Sequence, residues 1–493
     1  MLRKIRITLA ALFFTGITLL FLDFTGTAHQ WLGWMAKVQF LPALLATNAI
    51  IVAVLIALTL LFGRIYCSVI CPLGVMQDIF AFFGRKSKRY RYSFSPAKNI
   101  LRYTTLALFV AAIIAGIGSV VALLAPYSAY GRIAQSLLSP LWAMGNNLLA
   151  YFAERADSYA FYTTEVWLKS SVTLGVAVAT LIITGILAWR NGRTWCNTIC
   201  PVGTVLGFLS RFSLLKPRID TAKCNGCGLC ERGCKAACID SKNHKIDYSR
   251  CVTCMDCLEN CKKGAFSYGL RYKKQECETA KSGDELSRRS FISATTIIAA
   301  SSLVKAEEQK IKGSLAAIED KKIPERSTRI VPPGAKSIRN MTKHCTSCQL
   351  CVTVCPNEVL RPSNNLSTLM QPEMSYERGY CRPECTKCSE VCPTGAISLI
   401  TKEEKSSTQI GHAIVIRENC VALTDNVSCG NCARHCPVGA ITMVASEQGN
   451  KKSPKVPVVN VERCIGCGAC EHLCPARPLS AIYVDGHNTH RTI

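Results

Sequence analysis

The stretches CNGCGLCERGC, residues 224–234, and CVTCMDCLENC, residues 251–261, decide how this chain is read. Each sets four cysteines in a fixed rhythm, Cys224, Cys227, Cys230 and Cys234, then Cys251, Cys254, Cys257 and Cys261. The rhythm returns at Cys345, Cys348, Cys351 and Cys355 and at Cys464, Cys467, Cys470 and Cys474. It returns with stretched spacing at Cys381, Cys385, Cys388 and Cys392 and at Cys420, Cys429, Cys432 and Cys436. Three closely spaced thiolates wrap three irons of one cubane, while the fourth points to a neighbouring cluster. The runs therefore count in pairs, and six 4Fe–4S clusters are expected. Cys224, Cys227 and Cys230 should share one with Cys261, and Cys251, Cys254 and Cys257 one with Cys234.

Zinc and disulfides are the competing readings of so many thiols. Structural zinc takes two separated cysteine pairs, and a third and fourth cysteine following at once do not suit it. Disulfides would require thiols two residues apart to find distant partners six times over. A proline follows the fourth cysteine at Pro356, Pro393, Pro437 and Pro475, as in bacterial ferredoxins, whereas Lys235 and Lys262 stand there in the first two runs.

The chain has 493 residues and 30 cysteines, 24 of them in the six runs and four ahead of the runs at Cys67, Cys71, Cys196 and Cys200, and Cys238 and Cys277 are left over for structural or incidental roles. Its formal charge of +25 overstates the real one, because six oxidised cubanes at roughly −2 each lower it to about +13. The remaining excess sits beside apolar segments, which points to a membrane surface and not to nucleic acid.

Four apolar stretches approach the roughly 20 residues that span a bilayer: Ile7 to Leu22, Leu41 to Phe62, Leu101 to Leu124 and Ser171 to Trp189. Arg3, Lys4 and Arg6 precede the first, and Arg64, Arg85, Lys86, Lys88, Arg89, Arg91 and Lys98 lie between the second and third. Basic loops stay inside, so both ends of a four-span unit are expected in the cytoplasm, followed there by the first ferredoxin.

A repeat marks the inner ends of spans two and four. GRIYC at residues 63–67 with CPLG at 71–74 returns as GRTWC at 192–196 with CPVG at 200–203. Cys67 and Cys71, and Cys196 and Cys200, are each spaced i and i+4, so on a helix each pair faces one way, and the topology brings all four to one membrane face. A metal centre, redox-active dithiols and a structural role all remain open for them. Tyr66 and Trp195 read as interface anchors.

The repeated CxxxCP motif, followed by Lys216, Pro217 and the ferredoxin beginning at Cys224, resembles the NapH-type membrane ferredoxins over roughly residues 1–275. Residues 340–480, through CPTGAI at 392–397 and CPVGAI at 436–441, resemble NapG-type four-cluster ferredoxins, so the chain looks like a fusion of the two. The resemblance implies passage of quinol-derived electrons toward periplasmic reductases or their maturation. It also implies exchange of fourth ligands between the outer C-terminal runs (Cys474 and Cys355) and between the inner ones (Cys436 and Cys392). SRRSFI at 287–292, before an apolar run to Val304, resembles a twin-arginine export signal.

The expected fold is multidomain. A four-span α-helical membrane domain (1–215) precedes a two-cluster α+β ferredoxin-like domain (216–275), a linker with the signal or a membrane tether (276–306) and a four-cluster polyferredoxin (307–493). No CxxC is followed by His, which excludes covalent haem. His29 alone lies near the spans, too few ligands for haem b, and no Gly-rich dinucleotide fingerprint is present. The expected protein sits in a bacterial inner membrane, the first ferredoxin cytoplasmic and the polyferredoxin periplasmic. It relays electrons between the quinone pool, with a possible cytoplasmic donor and quinol dehydrogenase activity, and a periplasmic reductase. The alternative is a redox or copper-handling maturation factor using Cys67, Cys71, Cys196 and Cys200, since soft thiolates suit Cu(I). The aromatic-rich segment Tyr127 to Trp167 is a candidate quinol site beside its role in interfacial packing.

Overall fold

The computed structural model describes residues 1–23, 25–87, 92–270, 319–447 and 453–493; the linker at 276–306, its Arg288–Arg289 pair and Cys277 lie outside the described residues. Among the described residues, two helices are long and apolar enough to cross a bilayer, Leu2–Leu22 (α1) and Ser171–Asn191, each of 21 residues. At 1.5 Å per residue each measures about 31 Å, the thickness of a hydrocarbon core of about 30 Å.

After α1 come α2 (Thr27–Leu32), α3 (Trp34–Lys37), α4 (Phe40–Leu45) and α5 (Ala49–Phe62). The run expected as span two is therefore broken: Thr47 takes φ 54, and Asn48 caps α5 by accepting from the Ile51 N–H at 3.2 Å. Next follow α6 (Ile65–Val69), α7 (Pro72–Lys86), α8 (Asn99–Ala115) and α9 (Gly118–Leu124). Expected span three is likewise divided, at Gly116 with φ 74. Then come α10 (Pro126–Ile133), a π-helical turn (Ala134–Leu138), α11 (Ser139–Arg155), α12 (Ser171–Asn191), α13 (Thr194–Thr198) and α14 (Pro201–Ser210).

The motif repeat is a structural repeat: α5–α6–α7 and α12–α13–α14 share one plan. Gly63 and Gly192 end the long helices at φ 78 and 68, where a Cβ is strained. Pro72 and Pro201 open α7 and α14, where a missing N–H costs nothing. Cys67 and Cys71 thus do not share one helix as the i, i+4 spacing suggested. Cys67 lies in α6, and Cys71 is the extended N-cap of α7, as Cys200 is of α14.

The first ferredoxin pairs β1 (Leu215–Ile219) with β4 (Phe266–Leu270), and β2 (Ile239–Asp240) with β3 (Lys245–Ile246), all antiparallel, around α15 (Leu229–Arg232) and α16 (Asp256–Asn260). It sits at the start of α1 and the ends of α5 and α12. Arg3 pairs with Asp256 at 2.8 Å, the Tyr268 hydroxyl donates to the Phe62 carbonyl at 3.1 Å, and the Arg193 N–H donates to the Lys235 carbonyl at 2.7 Å.

The C-terminal module contributes β5 (Leu360–Pro362), β6 (Pro372–Met374), β7 (Thr408–Val415), β8 (Ile441–Ala445), β9 (Lys455–Val459) and β10 (Ile482–Thr492), paired β5–β6, β7–β10 and β8–β9. It packs on the opposite ends of the same two long helices. Just past α1, the Thr25 carbonyl accepts from Lys387 at 3.4 Å. At the start of α12, Ser170 donates to Asn364 at 2.8 Å and Lys169 to the Val352 carbonyl at 3.2 Å. Trp167 donates to the Glu358 carboxylate while Arg361 and Arg378 lie 4.3 and 4.6 Å from its ring centre. Trp167 therefore serves this docking contact, and it also lines a cavity of about 620 Å³ with Trp142 and Tyr162.

At Gly131 in α10, any Cβ would collide with the carbonyl oxygen of Cys348 and the ring of Phe21. Gly131→Leu is expected to undock the C-terminal module. With a protease site engineered into residues 280–300, the cut halves of the unsubstituted protein should co-purify and those of the variant should separate.

Candidate metal centres

One cavity of the first ferredoxin is lined by Cys234, Cys251, Cys254 and Cys257, the quartet expected from the crossed pattern. Cys238 shares that wall. It is fully buried, its sulfur 3.6 Å from that of Cys234, and it also hydrogen-bonds Cys251. A residue expected to be incidental thus touches two ligands. Cys224, Cys227 and Cys230 form a second group in which Cys227 is exposed, and Cys261 follows α16. Burial would raise the Asp256 carboxyl, but Lys235, Arg3 and Arg6 leave it below its ordinary value, so it stays ionised beside Cys257.

In the C-terminal module the ligand crossing differs from the expectation. Cys351 neighbours Cys345, Cys348 and Cys392. A cavity is lined by Cys381, Cys385, Cys388 and Cys355. Cys432 neighbours Cys420, Cys429 and Cys474, and another cavity is lined by Cys464, Cys467, Cys470 and Cys436. Neighbouring runs exchange fourth ligands, Cys355 with Cys392 and Cys436 with Cys474. The outer-with-outer and inner-with-inner pairing is corrected accordingly. Each pair of neighbouring runs in this module closes on itself. The units meet where the Cys381 N–H donates to the Cys467 carbonyl at 2.9 Å. Burial pushes the Cys381 thiol up to about 11 against the opposing charge of Lys405.

The pairing makes a prediction. Cys392→Ser and Cys348→Ser should each remove one cluster, about four irons, and the double variant should lose no more than either. Cys392→Ser with Cys429→Ser should lose about eight. Iron and sulfide analysis of anaerobically purified variants measures this.

Cys67, Cys71, Cys196 and Cys200 come together between the two ferredoxin modules. They are 3–4% exposed, and each of Cys71 and Cys200 feels the charge of its neighbours across the repeat. The helix starts of α7 and α14, with Cys71 and Cys200 as N-caps, converge on them, and the Gly203 N–H donates to the Cys200 sulfur at 3.3 Å. Helix N-termini favour negative charge. Two fully buried arginines add to it by reaching across the repeat. Arg64 donates to the Cys196 carbonyl at 3.1 Å and lies 3.8 Å from the Cys67 sulfur, while Arg193 donates to the Cys67 carbonyl at 2.5 Å. Gln77 donates to the Cys196 sulfur at 3.3 Å. Gly74 and Gly203 leave room for these guanidinium groups, since a Cβ at either would stand 2.9 Å from one.

This clasp was missed from sequence, although the arginine recurs in both GRxYC and GRxWC. It ties the thiols to the first ferredoxin: Arg64 donates to Asn197 at 2.8 Å and to the Ser249 carbonyl at 3.1 Å, and Asn197 donates to the Ala236 carbonyl at 3.2 Å. Asp78 is the hub beside it, paired with Arg193 at 2.7 Å and with Arg6 and Lys235 at 2.9 Å each. On the other side α10 packs against α7 and α12. It carries Tyr127, buried against Phe21 near Cys348 and Cys392.

Among the described residues, no three His, Cys, Asp or Glu side chains crowd as a single metal ion requires. A cubane spreads four thiolates over four irons, and the buried orphan N–H groups Arg64 Nε and Arg193 Nη2 suit the anion it forms. The four thiols fit such a cluster, which would supply one-electron transfer.

The family described as a 4Fe-4S binding domain matches residues 44–90 and 172–220, which hold both CxxxCP motifs. Families described as 4Fe-4S dicluster domains match residues 344–397 and 427–477, in agreement with the pairing of neighbouring runs. An uncharacterised protein of Methanocaldococcus jannaschii is 36% identical over 109 residues, 22% of this chain and 43% of that one. The ferredoxin-type protein NapH of Escherichia coli is 27% identical over 241 residues, 47% of this chain and 70% of that one. The methylamine utilization ferredoxin-type protein MauN of Paracoccus denitrificans is 27% identical over 192 residues, 38% of this chain and 55% of that one. The chain spans about half the length of several such relatives. No solved structure matches it.

Proposed function

We propose that this NapH-like membrane ferredoxin, carrying a NapG-like module at its C-terminus, conducts electrons across a bilayer between the quinone pool and a partner reductase. The observation that carries the reading is the docking of two ferredoxin modules at opposite ends of α1 and α12, with Cys67, Cys71, Cys196 and Cys200 between them. A hydrocarbon layer of about 30 Å calls for an intermediate centre, and a seventh cubane on those thiols, beside six in the 24 run cysteines, provides it. The order would be the Cys227 site, the Cys234 site, the buried thiols, α10, and then the sites of Cys348, Cys388, Cys467 and Cys432. Basic loops put the first ferredoxin in the cytoplasm and the Arg288–Arg289 signal sends residues 307–493 to the periplasm, with spans two and three crossing as broken helices. Irregular backbone is tolerated at such depth where protein buries it. Handling copper as cargo needs thiols within reach of a donor protein, and these four are buried.

The test uses the full chain in quinone-free liposomes with a membrane-impermeant reductant on the side of the first ferredoxin. All clusters should bleach without added quinone. If the C-terminal clusters stay oxidised until quinone is supplied, the direct path fails.

A further inference from the structure

Between α1 and α7 lies a cavity of about 400 Å³, within the range of about 300–1,000 Å³ that holds small molecules. Its rim carries Ile7, Ile79, Phe82 and Phe83, 41–55% exposed on the outside of the helical unit, where lipid chains would lie. Inside, Ala10, Ala11 and Phe14 give an apolar wall, and the far wall is Arg6, Asp78, Lys235 and Asp256. These four are 8–11% exposed and paired with one another or with Arg3 and Arg193. The buried Arg6 Nε keeps a donor without a partner.

That wall stands between two thiol centres. Lys235 follows Cys234 in the chain, and Asp78 follows Gln77, which donates to the Cys196 sulfur at 3.3 Å. We propose that the cavity binds the head of a lipid-soluble quinone, with its isoprenoid tail leaving between Ile7 and Phe82. This rests on the quinone-linked reading above and deepens it by locating the site. The chemistry selects the ligand. An apolar shaft open to lipid admits a hydrocarbon tail, and the third N–H of the Lys235 ammonium, whose other two serve Asp78 and Asp256, suits a neutral carbonyl. Arg3, Arg6, Arg85 and Lys235 line the cavity with the carboxylates Asp78 and Asp256, so a lipid phosphate is the competing occupant, and the phospholipid arm of the experiment separates the two. The position beside both thiol centres is where a redox carrier, and not a structural lipid, has a role.

The experiment labels the full-length protein in nanodiscs with a photoreactive azido-naphthoquinone bearing a prenyl tail, and maps the adducts by mass spectrometry. Adducts are expected on residues 7–15 of α1 and 75–83 of α7, displaced by excess menaquinone and not by phospholipid. Ala11→Trp, which fills the shaft, should lower labelling about ten-fold, while Leu108→Trp, on an exposed face elsewhere, should leave it unchanged. The unsubstituted protein already decides the location if Ala11→Trp does not fold. Adducts confined to the Trp142–Trp167 segment, with clusters still reduced by menaquinol, would overturn this site and leave the electron-relay reading standing. Displacement by phospholipid alone would make it a lipid site and overturn the proposal. Absence of both adducts and cluster reduction would remove the quinone reading itself.

Discussion

Changing any one of Cys67, Cys71, Cys196 and Cys200 to Ser is expected to stop electron flow from the first ferredoxin to the C-terminal clusters, down to the leak of protein-free liposomes. The quadruple variant should be no worse than a single one, because groups that act as a unit lose their function together. Both modules should keep their own clusters, since their ligands lie elsewhere, so an EPR spectrum after direct reduction with dithionite should lose at most one component. Additive losses across the four variants would indicate two independent dithiols. Undiminished flow in the quadruple variant would reduce the four thiols to packing.

The second large effect belongs to Asp78. Its carboxylate, 11% exposed, is held by Arg193, Arg6 and Lys235. Asp78→Ala strands two buried cations, Arg6 and Arg193, while Lys235 keeps Asp256 at 3.4 Å, and breaking a buried pair in this way costs about 3–5 kcal/mol. Thermal unfolding in detergent should show the largest loss among single substitutions outside the cysteines. Replacing Asp78 and Arg193 together by Met should cost less than Asp78→Ala, because one of the stranded charges leaves with its partner. A change within about 0.5 kcal/mol for Asp78→Ala, as at ordinary surface positions, would refute the hub.

The thiol runs were legible in the sequence because cluster spacing is a local property of the chain, read over a dozen residues. So was the CxxxCP repeat, whose Gly, Arg and Pro residues each do at the second copy what they do at the first. What spacing does not carry is which run completes which: Cys392 joins Cys345, Cys348 and Cys351 through tertiary packing, and a borrowed pattern assigned it elsewhere. Hydropathy averaged over Leu41 to Phe62 or Leu101 to Leu124 does not register a single residue of left-handed backbone, so the breaks at Thr47 and Gly116 were hidden. The arginine clasp was hidden too, since Arg64 and Arg193 read as loop charges for orientation until the repeat is folded and each is seen to reach the other half. Cys238 falls in none of the six runs, and its contact with Cys234 and Cys251 exists only in three dimensions.

The docking at Gly131 covers Cys348, 9% exposed, and the four central thiols are more deeply enclosed still. By contrast Cys227 is exposed at one extremity, and Cys429, Cys432 and Cys436 are partly exposed in the last unit. The molecule is in this sense an insulated conductor with bare terminals. On the proposed reading dioxygen and stray reductants would meet the sheath, while a soluble donor would make contact around Cys227 and an acceptor around Cys429 to Cys436. Specificity for redox partners would then be decided at those two tips, and surface substitutions along the flanks of the helices should leave the choice of partner untouched.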